Sequence, residues 1–102
     1  VRKKDNVINT GGIKIQAEEL ELKISKLLPN HRFFISTIND ELLGEKIILI
    51  IEANTTFDTS KISFTSLNKY SIPKAIYTIE KFKETETGKV KRNENKTLLG
   101  LI

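Results

Sequence analysis

Lys46-Ile47-Ile48-Leu49-Ile50-Ile51 is the stretch that decides the fold of this chain. It is nearly continuous isoleucine and leucine, too short for a helix, and it reads as a strand covered on both faces. Ile47 to Ile51 is also the longest apolar run. That is far short of the roughly 20 residues that span a bilayer, so no membrane partner is expected. A doubly covered strand needs elements on both sides, and the flanking sequence supplies them. Phe33 to Ile38 is rich in aromatic and β-branched residues and reads as a second strand, ended by Asn39-Asp40. After a polar break at Asn54 to Thr56, Asp58 to Leu67 predicts a helix capped by Asp58, Thr59 or Ser60. Beyond Pro73, Ala75 to Ile79 alternates as a third strand.

Towards the start, Ala17 to Leu28 predicts a helix. Leu20, Ile24, Leu27 and Leu28 share one face, Glu18 and Glu19 occupy the first turn, and Pro29 ends it. Before it, Val7-Ile8 and Ile13 to Ile15 are short apolar patches separated by Asn9-Thr10-Gly11-Gly12, a tight turn joining two strands. Lys83 to Arg92 has the composition of an exposed loop running into a final helical turn. The order β-β-α-β-β-α-β predicts an α+β fold, a small β-hairpin followed by a three-stranded sheet with flanking helices.

Composition bounds the rest. A chain of 102 residues makes one domain, spanning 1–102. At this size it buries roughly two-thirds of its unfolded surface and holds a modest core unaided. An apolar fraction of 38% with two prolines and five glycines excludes disorder over most of the length. Cysteine is absent, which excludes disulfides and thiolate metal sites and agrees with a reducing cytosol. The single histidine, His31, cannot build a zinc site alone and is expected at the surface. The net charge of +4 suits nucleic acid, acidic membranes or phosphorylated small molecules without choosing among them. The lysines are interspersed with Asp and Glu, the pattern of a solvated surface. Methionine is absent and no signal-peptide pattern opens the sequence, so the chain is expected to be cut from a larger, cytoplasmic protein.

The loop Thr85-Glu86-Thr87-Gly88-Lys89-Val90-Lys91-Arg92 is the sharpest chemical feature. Gly88 can take backbone angles closed to other residues and allows close approach of a ligand. Lys89 follows on a flexible stem with three donors, suited to a carboxylate or a phosphate. The spacing is not that of a P-loop. Taken alone, this segment also reads as a solvated basic loop, and the Gly11-Gly12 segment as a mere turn.

Taken together, the segments resemble the C-terminal domain of the adenylate-forming superfamily, which includes acyl- and aryl-CoA ligases. The family's hinge motif, Gly-Arg-x-Asp-x-x-Ile-x-x-Gly-Gly-x-x-Ile, is similar to the stretch from Arg2 to Ile15, with Asp5, Gly11, Gly12 and Ile15 in place. Ala17-Glu18-Glu19-Leu20-Glu21 follows where the family has Pro-x-Glu-Ile-Glu. Asp40-Glu41-Leu42-Leu43-Gly44-Glu45 matches its Asp-x-x-x-Gly-Glu turn, and Lys69-Tyr70-Ser71-Ile72-Pro73-Lys74 its Lys-Tyr-x-x-Pro-Lys stretch. Glu84 to Arg92 resembles Pro-x-Thr-x-x-Gly-Lys-x-x-Arg, with a one-residue length difference in the loop. Lys3 stands where the family usually has arginine, with Arg2 beside it; Ala17 and Glu84 replace prolines.

The resemblance implies a domain whose partner is the large N-terminal domain of the same ligase. The substrates would be ATP with Mg2+, a small-molecule carboxylic acid and coenzyme A. Acid and ATP give an acyl-adenylate, which the coenzyme A thiol then attacks after the small domain rotates. Carried over residue by residue, Lys89 is the catalytic lysine, supported by Thr87 and Gly88 in the loop 84–92. Asp5 is the hinge, within the hinge and glycine-turn hairpin 1–15. Lys3 and Asp5 contact the nucleotide, and Gly11, Gly12 and Lys14 lie on the coenzyme A path. No protein metal ligand is implied. The isolated domain is expected to be inactive. Asp5 to Ile15 looks most like the 2-succinylbenzoate–CoA ligases of menaquinone biosynthesis, with other acyl- or aryl-CoA ligases or adenylation domains as the alternative. Two other classes remain open on residues alone. One is a small basic nucleic-acid-binding domain using Lys89-Val90-Lys91-Arg92, which lacks interleaved aromatics and makes nucleic acid an unexpected partner. The other is a structural interaction module.

Overall fold

The computed structural model describes residues 7–42, 44–54 and 56–101. Strands β1 (Val7–Thr10) and β2 (Ile13–Gln16) form an antiparallel hairpin with Ile8 opposite Ile15. Helix α1 (Ala17–Ser25) follows directly. Strands β3 (Phe33–Asp40) and β4 (Gly44–Glu52) pair antiparallel along their whole length, from Phe33–Ile51 to Asp40–Gly44. Strand β5 (Ala75–Ile79) joins the other edge of β4 in parallel, and helix α2 (Arg92–Leu98) closes the chain. The hairpin is not separate from the sheet: Thr10 pairs with Gly44, which continues the ladder from β4 into β1.

The strand KIILII behaves as its composition requires. Every residue from Ile47 to Ile51 is at most 1% exposed. Alternation sends Ile47, Leu49 and Ile51 to one face, where they meet Ile8, Ile15, Leu20, Ile24 and Leu28 of the hairpin and α1. Ile48 and Ile50 point the other way, against Phe34 and Phe82, with Tyr77, Val90, Leu99 and Leu101 around them. A strand between two apolar clusters cannot present a polar residue on either side, hence the unbroken run.

The expected helix over Asp58–Leu67 is not there. Only one 3₁₀ turn forms, Thr59–Lys61, although Asp58 does cap it by accepting from the Ser60 N–H at 3.0 Å. The hydroxyls explain the difference. Ser60 Oγ donates to Asp58 at 2.6 Å, and the Ser63 and Thr65 hydroxyls share a hydrogen bond of 3.2 Å. Such local bonds, with the β-branched Thr59, Ile62 and Thr65, compete with the helical ladder. Ile62, Phe64 and Leu67 instead cover the first apolar cluster from an irregular segment. Helix α1 also stops at Ser25, before the expected Leu28; a turn carries Leu28 into the core ahead of Pro29. His31, expected at the surface, is half-buried with its ring 4.7 Å from that of Phe57.

Candidate functional site

The loop that carries Lys89 is a small β-hairpin. Glu84 bridges Val90, the Thr85 N–H donates to the Lys89 carbonyl at 2.8 Å, and the Lys91 N–H donates to the Lys83 carbonyl at 2.9 Å. Glu86-Thr87-Gly88 forms the tip. The Gly88 N–H closes back on the Thr85 carbonyl at 3.0 Å, and Gly88 takes φ +91°. A three-residue tip needs a left-handed residue at its last position, which is what Gly88 provides. Thr85 Oγ1 accepts from the Lys89 N–H at 3.1 Å and lies 3.0 Å from the Thr87 hydroxyl. Because Val90 turns inward onto the second apolar cluster, its neighbour Lys89 must turn outward. Lys89 is exposed, and among the described residues its ammonium has no carboxylate partner. An exposed ammonium at a hydrogen-bonded hairpin tip fits an anionic ligand.

Two side-chain clusters hold the base of this hairpin. Asn95 of α2, 0% exposed, accepts from the Lys83 N–H at 2.9 Å. Its amide donates to the carbonyls of Lys83 at 3.2 Å and Lys91 at 2.8 Å. On the other side, Arg32 grips Glu52 through Nε at 2.9 Å and Nη2 at 2.8 Å, and Nη2 also meets Glu84. Glu52 accepts the Phe82 N–H at 2.8 Å, while the Arg32 guanidinium lies 5.7 Å from the centre of the Phe82 ring. The bond from Arg32 holds the Glu52 carboxyl below its ordinary value against the opposing effect of burial.

The glycine turn is built differently. Gly11 and Gly12 take φ +59° and +82°, the paired left-handed angles of a two-residue hairpin turn. A Cβ on Gly12 would meet nothing within 4 Å, so the turn faces open space. Glu45 accepts the Asn9 N–H at 3.0 Å, and Lys14 is exposed on β2. The turn extends from the Gly44 end of β4, whereas the lysine hairpin is rooted at its Glu52 end. At about 3.3 Å per residue those ends lie roughly 26 Å apart. Gly11, Gly12 and Lys14 are thus brought together in one place, and Thr87, Gly88 and Lys89 in another. Arg2, Lys3 and Asp5 lie outside the described residues.

A 2-succinylbenzoate–CoA ligase of Listeria monocytogenes is 30% identical to the chain over 99 residues, covering 94% of this chain and 21% of the relative. A vibriobactin-specific 2,3-dihydroxybenzoate–AMP ligase of Vibrio cholerae is 32% identical over 98 residues, covering 90% and 18%. The solved structure of an AMP-forming acyl-CoA synthetase/AMP-acid ligase II-like protein from Dyadobacter fermentans matches all of this chain and 31% of its own. Its TM-score is 0.80 at 29% identity. The chain is related to the C-terminal domain of the adenylate-forming ligases. Apo MatB from Rhodopseudomonas palustris shares the fold, with a TM-score of 0.72 over 90% of this chain and 19% of its own, at 19% identity. No family model matches. The chain spans about a fifth of the length of the curated relatives it matches.

The basic run from Lys89 to Arg92 does not form one patch. Lys91 lies 3.5 Å from Glu94, and Arg92 lies 3.5 Å from Glu21 and over the Phe34 ring. Among the described residues no group of three or more His, Cys, Asp or Glu could hold a metal, and no helix is long and apolar enough to cross a membrane. Sequence reasoning missed Asn95, Arg32 and Glu52. Nothing local marks them, since their partners are far away in sequence or are main-chain atoms.

Proposed function

We propose that this chain is the C-terminal domain of an AMP-forming acid–CoA ligase, and that Lys89 acts in the adenylation of the acid. The observation that carries the reading is the exposed Lys89 ammonium, without a carboxylate partner among the described residues, on a hairpin tip that side chains hold at its base. ATP, with Mg2+ carried by the nucleotide and the large domain, supplies the electrophilic α-phosphorus. The acid carboxylate must approach a centre already crowded with negative oxygens. Lys89 orients that carboxylate and offsets charge as it develops on the phosphoryl oxygens. Because the tip is pre-formed, little reorganisation is needed when the charge appears.

Gly11, Gly12 and Lys14 belong to the second half-reaction in this reading. The bare turn leaves room for the pantetheine arm of coenzyme A, and Lys14 is placed to meet one of its phosphates. The roughly 26 Å between the two hairpin roots supports a domain that presents one hairpin and then the other. Asp5, the hinge, and Lys3, a nucleotide contact, keep their assignments from the resemblance. The acid is 2-succinylbenzoate and the setting is menaquinone biosynthesis in the cytoplasm, a reading supported by the 30% identity to the Listeria monocytogenes ligase. The domain by itself is inactive, since the acid and ATP pockets lie in the large domain.

The test is Lys89→Ala in the intact ligase that carries this chain, with the half-reactions measured separately. Adenylation falls by about 10²–10³, the usual loss for one preorganised electrostatic donor. Thioester formation from supplied acyl-adenylate changes far less. Lys83→Ala, which removes a charge from the same hairpin, is the control. Arg92→Ala would be a poor one, because it also releases Glu21 and Phe34. Equal losses for Lys83→Ala and Lys89→Ala would show that only general charge matters.

A further inference from the structure

The Lys89 hairpin is held on one side by Asn95, whose bonds all run to main-chain atoms. On the other side the contact is ionic and spans elements distant in sequence. Arg32 stands at the entrance to β3 and Glu52 at the end of β4; Glu84 begins the hairpin and faces Val90 across it. Arg32 is the shared partner of both carboxylates, and its guanidinium lies over Phe82, a residue 2% exposed whose own N–H is held by Glu52. Without Arg32 the two carboxylates would be left facing each other. The hairpin would keep its own ladder and its Asn95 anchor but lose the contact that ties it to the end of β4.

We infer that Arg32 and Glu84 are positioning residues for Lys89, an ionic brace that sets where the lysine tip stands relative to the sheet. This rests on the reading of Lys89 as the adenylation lysine. The geometry also shows what a proline at position 84 would do. The ladder bonds of the hairpin run through the N–H groups of Thr85 and Lys91. The Glu84 N–H takes no part in them, so a proline would cost no ladder bond there and would stiffen the backbone.

The experiment uses the intact ligase with Arg32→Gln, Glu84→Gln, Lys89→Ala and the double variant Arg32→Gln/Glu84→Pro. A misplaced lysine weakens the transition state more than substrate binding. Arg32→Gln and Glu84→Gln should therefore each lower kcat for adenylation by roughly tenfold, with the KM for ATP and acid nearly unchanged. Conversion of supplied acyl-adenylate should proceed at the parent rate. The double variant should recover much of the lost kcat, because proline stiffens the hairpin without needing Arg32 and removes the carboxylate that faced Glu52. Should Lys89→Ala abolish adenylation while Arg32→Gln and Glu84→Gln leave it intact, the brace is refuted and the function of Lys89 stands. An unaffected Lys89→Ala variant refutes the reading of Lys89 instead. Arg32→Gln slowing both half-reactions alike, with no recovery in the double variant, makes the cluster a general structural contact and also overturns the inference. Glu84→Gln, at a partly exposed position, guards against misfolding of the Arg32 variant.

Discussion

The two glycine hairpins of this domain solve one geometric problem in opposite ways. The Gly11-Gly12 turn belongs to the main sheet, because the ladder runs from β4 through the Thr10–Gly44 pair into β1. The Gly88 turn has its own short ladder, and side chains hold it to the body: Asn95 from α2 and Arg32 through Glu84. A main-chain ladder fixes orientation without regard to side-chain identity. A side-chain anchorage depends on a few particular residues and fails when one is changed. The hairpin with the candidate chemistry is therefore the more vulnerable of the two.

The strongest way to break that contrast is to remove the anchor of the second hairpin. Asn95→Ala leaves the part-buried Lys83 N–H without its partner, while the Lys83 and Lys91 carbonyls keep the main-chain N–H groups of Lys91 and residue 95. One orphaned donor costs about 1–3 kcal/mol, so a loss of about 1–3 kcal/mol is expected. Urea denaturation of the chain measures it. A loss below about 1 kcal/mol would mean that the hairpin holds itself in place. Next in size is the glycine turn. Gly12→Val forces a β-branched side chain to φ +82° and should cost about 1–2 kcal/mol, all of it backbone strain because the space is open. Gly12→Asn should cost only a few tenths, since asparagine visits left-handed angles. In the intact ligase the asparagine variant should still slow thioester formation more than adenylation, because it adds a side chain while keeping the turn. Parallel slowing of both steps would reduce the turn to a structural element.

The smallest effect expected is electrostatic and appears in acid. Glu52 is held below its ordinary value near 4.5, chiefly by the bond from Arg32. A carboxyl depressed in the folded state stabilises the fold above its unfolded value, and that contribution is lost as pH falls through the folded value. The chain should therefore lose stability below about pH 4.5, and Arg32→Gln should flatten that part of the profile. With Arg32 43% exposed, solvent screening keeps the difference to about 1 kcal/mol or less. Denaturation midpoints of both chains between pH 7 and pH 3 supply the comparison; parallel profiles would show that the pair contributes nothing measurable.

The pattern of side chains along the sequence determined a good deal by itself. The run Ile47–Ile51 could only be a strand with apolar cover on both faces, because any other setting would expose it. Paired glycines between apolar patches could only turn, since few other residues tolerate two successive left-handed angles. Gly88-Lys89 was legible as an exposed loop with a cation beside a glycine, because glycine and lysine each carry their property locally; that the loop is a hairpin tip came from the structure. Tertiary structure decided what depends on distant partners. Asp58–Leu67 has a helix cap in its sequence, yet local hydroxyl bonds and the apolar cluster it covers draw it into an irregular path. Asn95 is an ordinary helix residue until folding brings the bases of the Lys89 hairpin strands to it. Arg32, Glu52 and Glu84 are ordinary surface charges until the sheet places them together. Turns and apolar runs answer to short-range sterics and solvent, which the sequence spells out. Side-chain anchors answer to which atoms meet in space, and only the folded chain brings those atoms together.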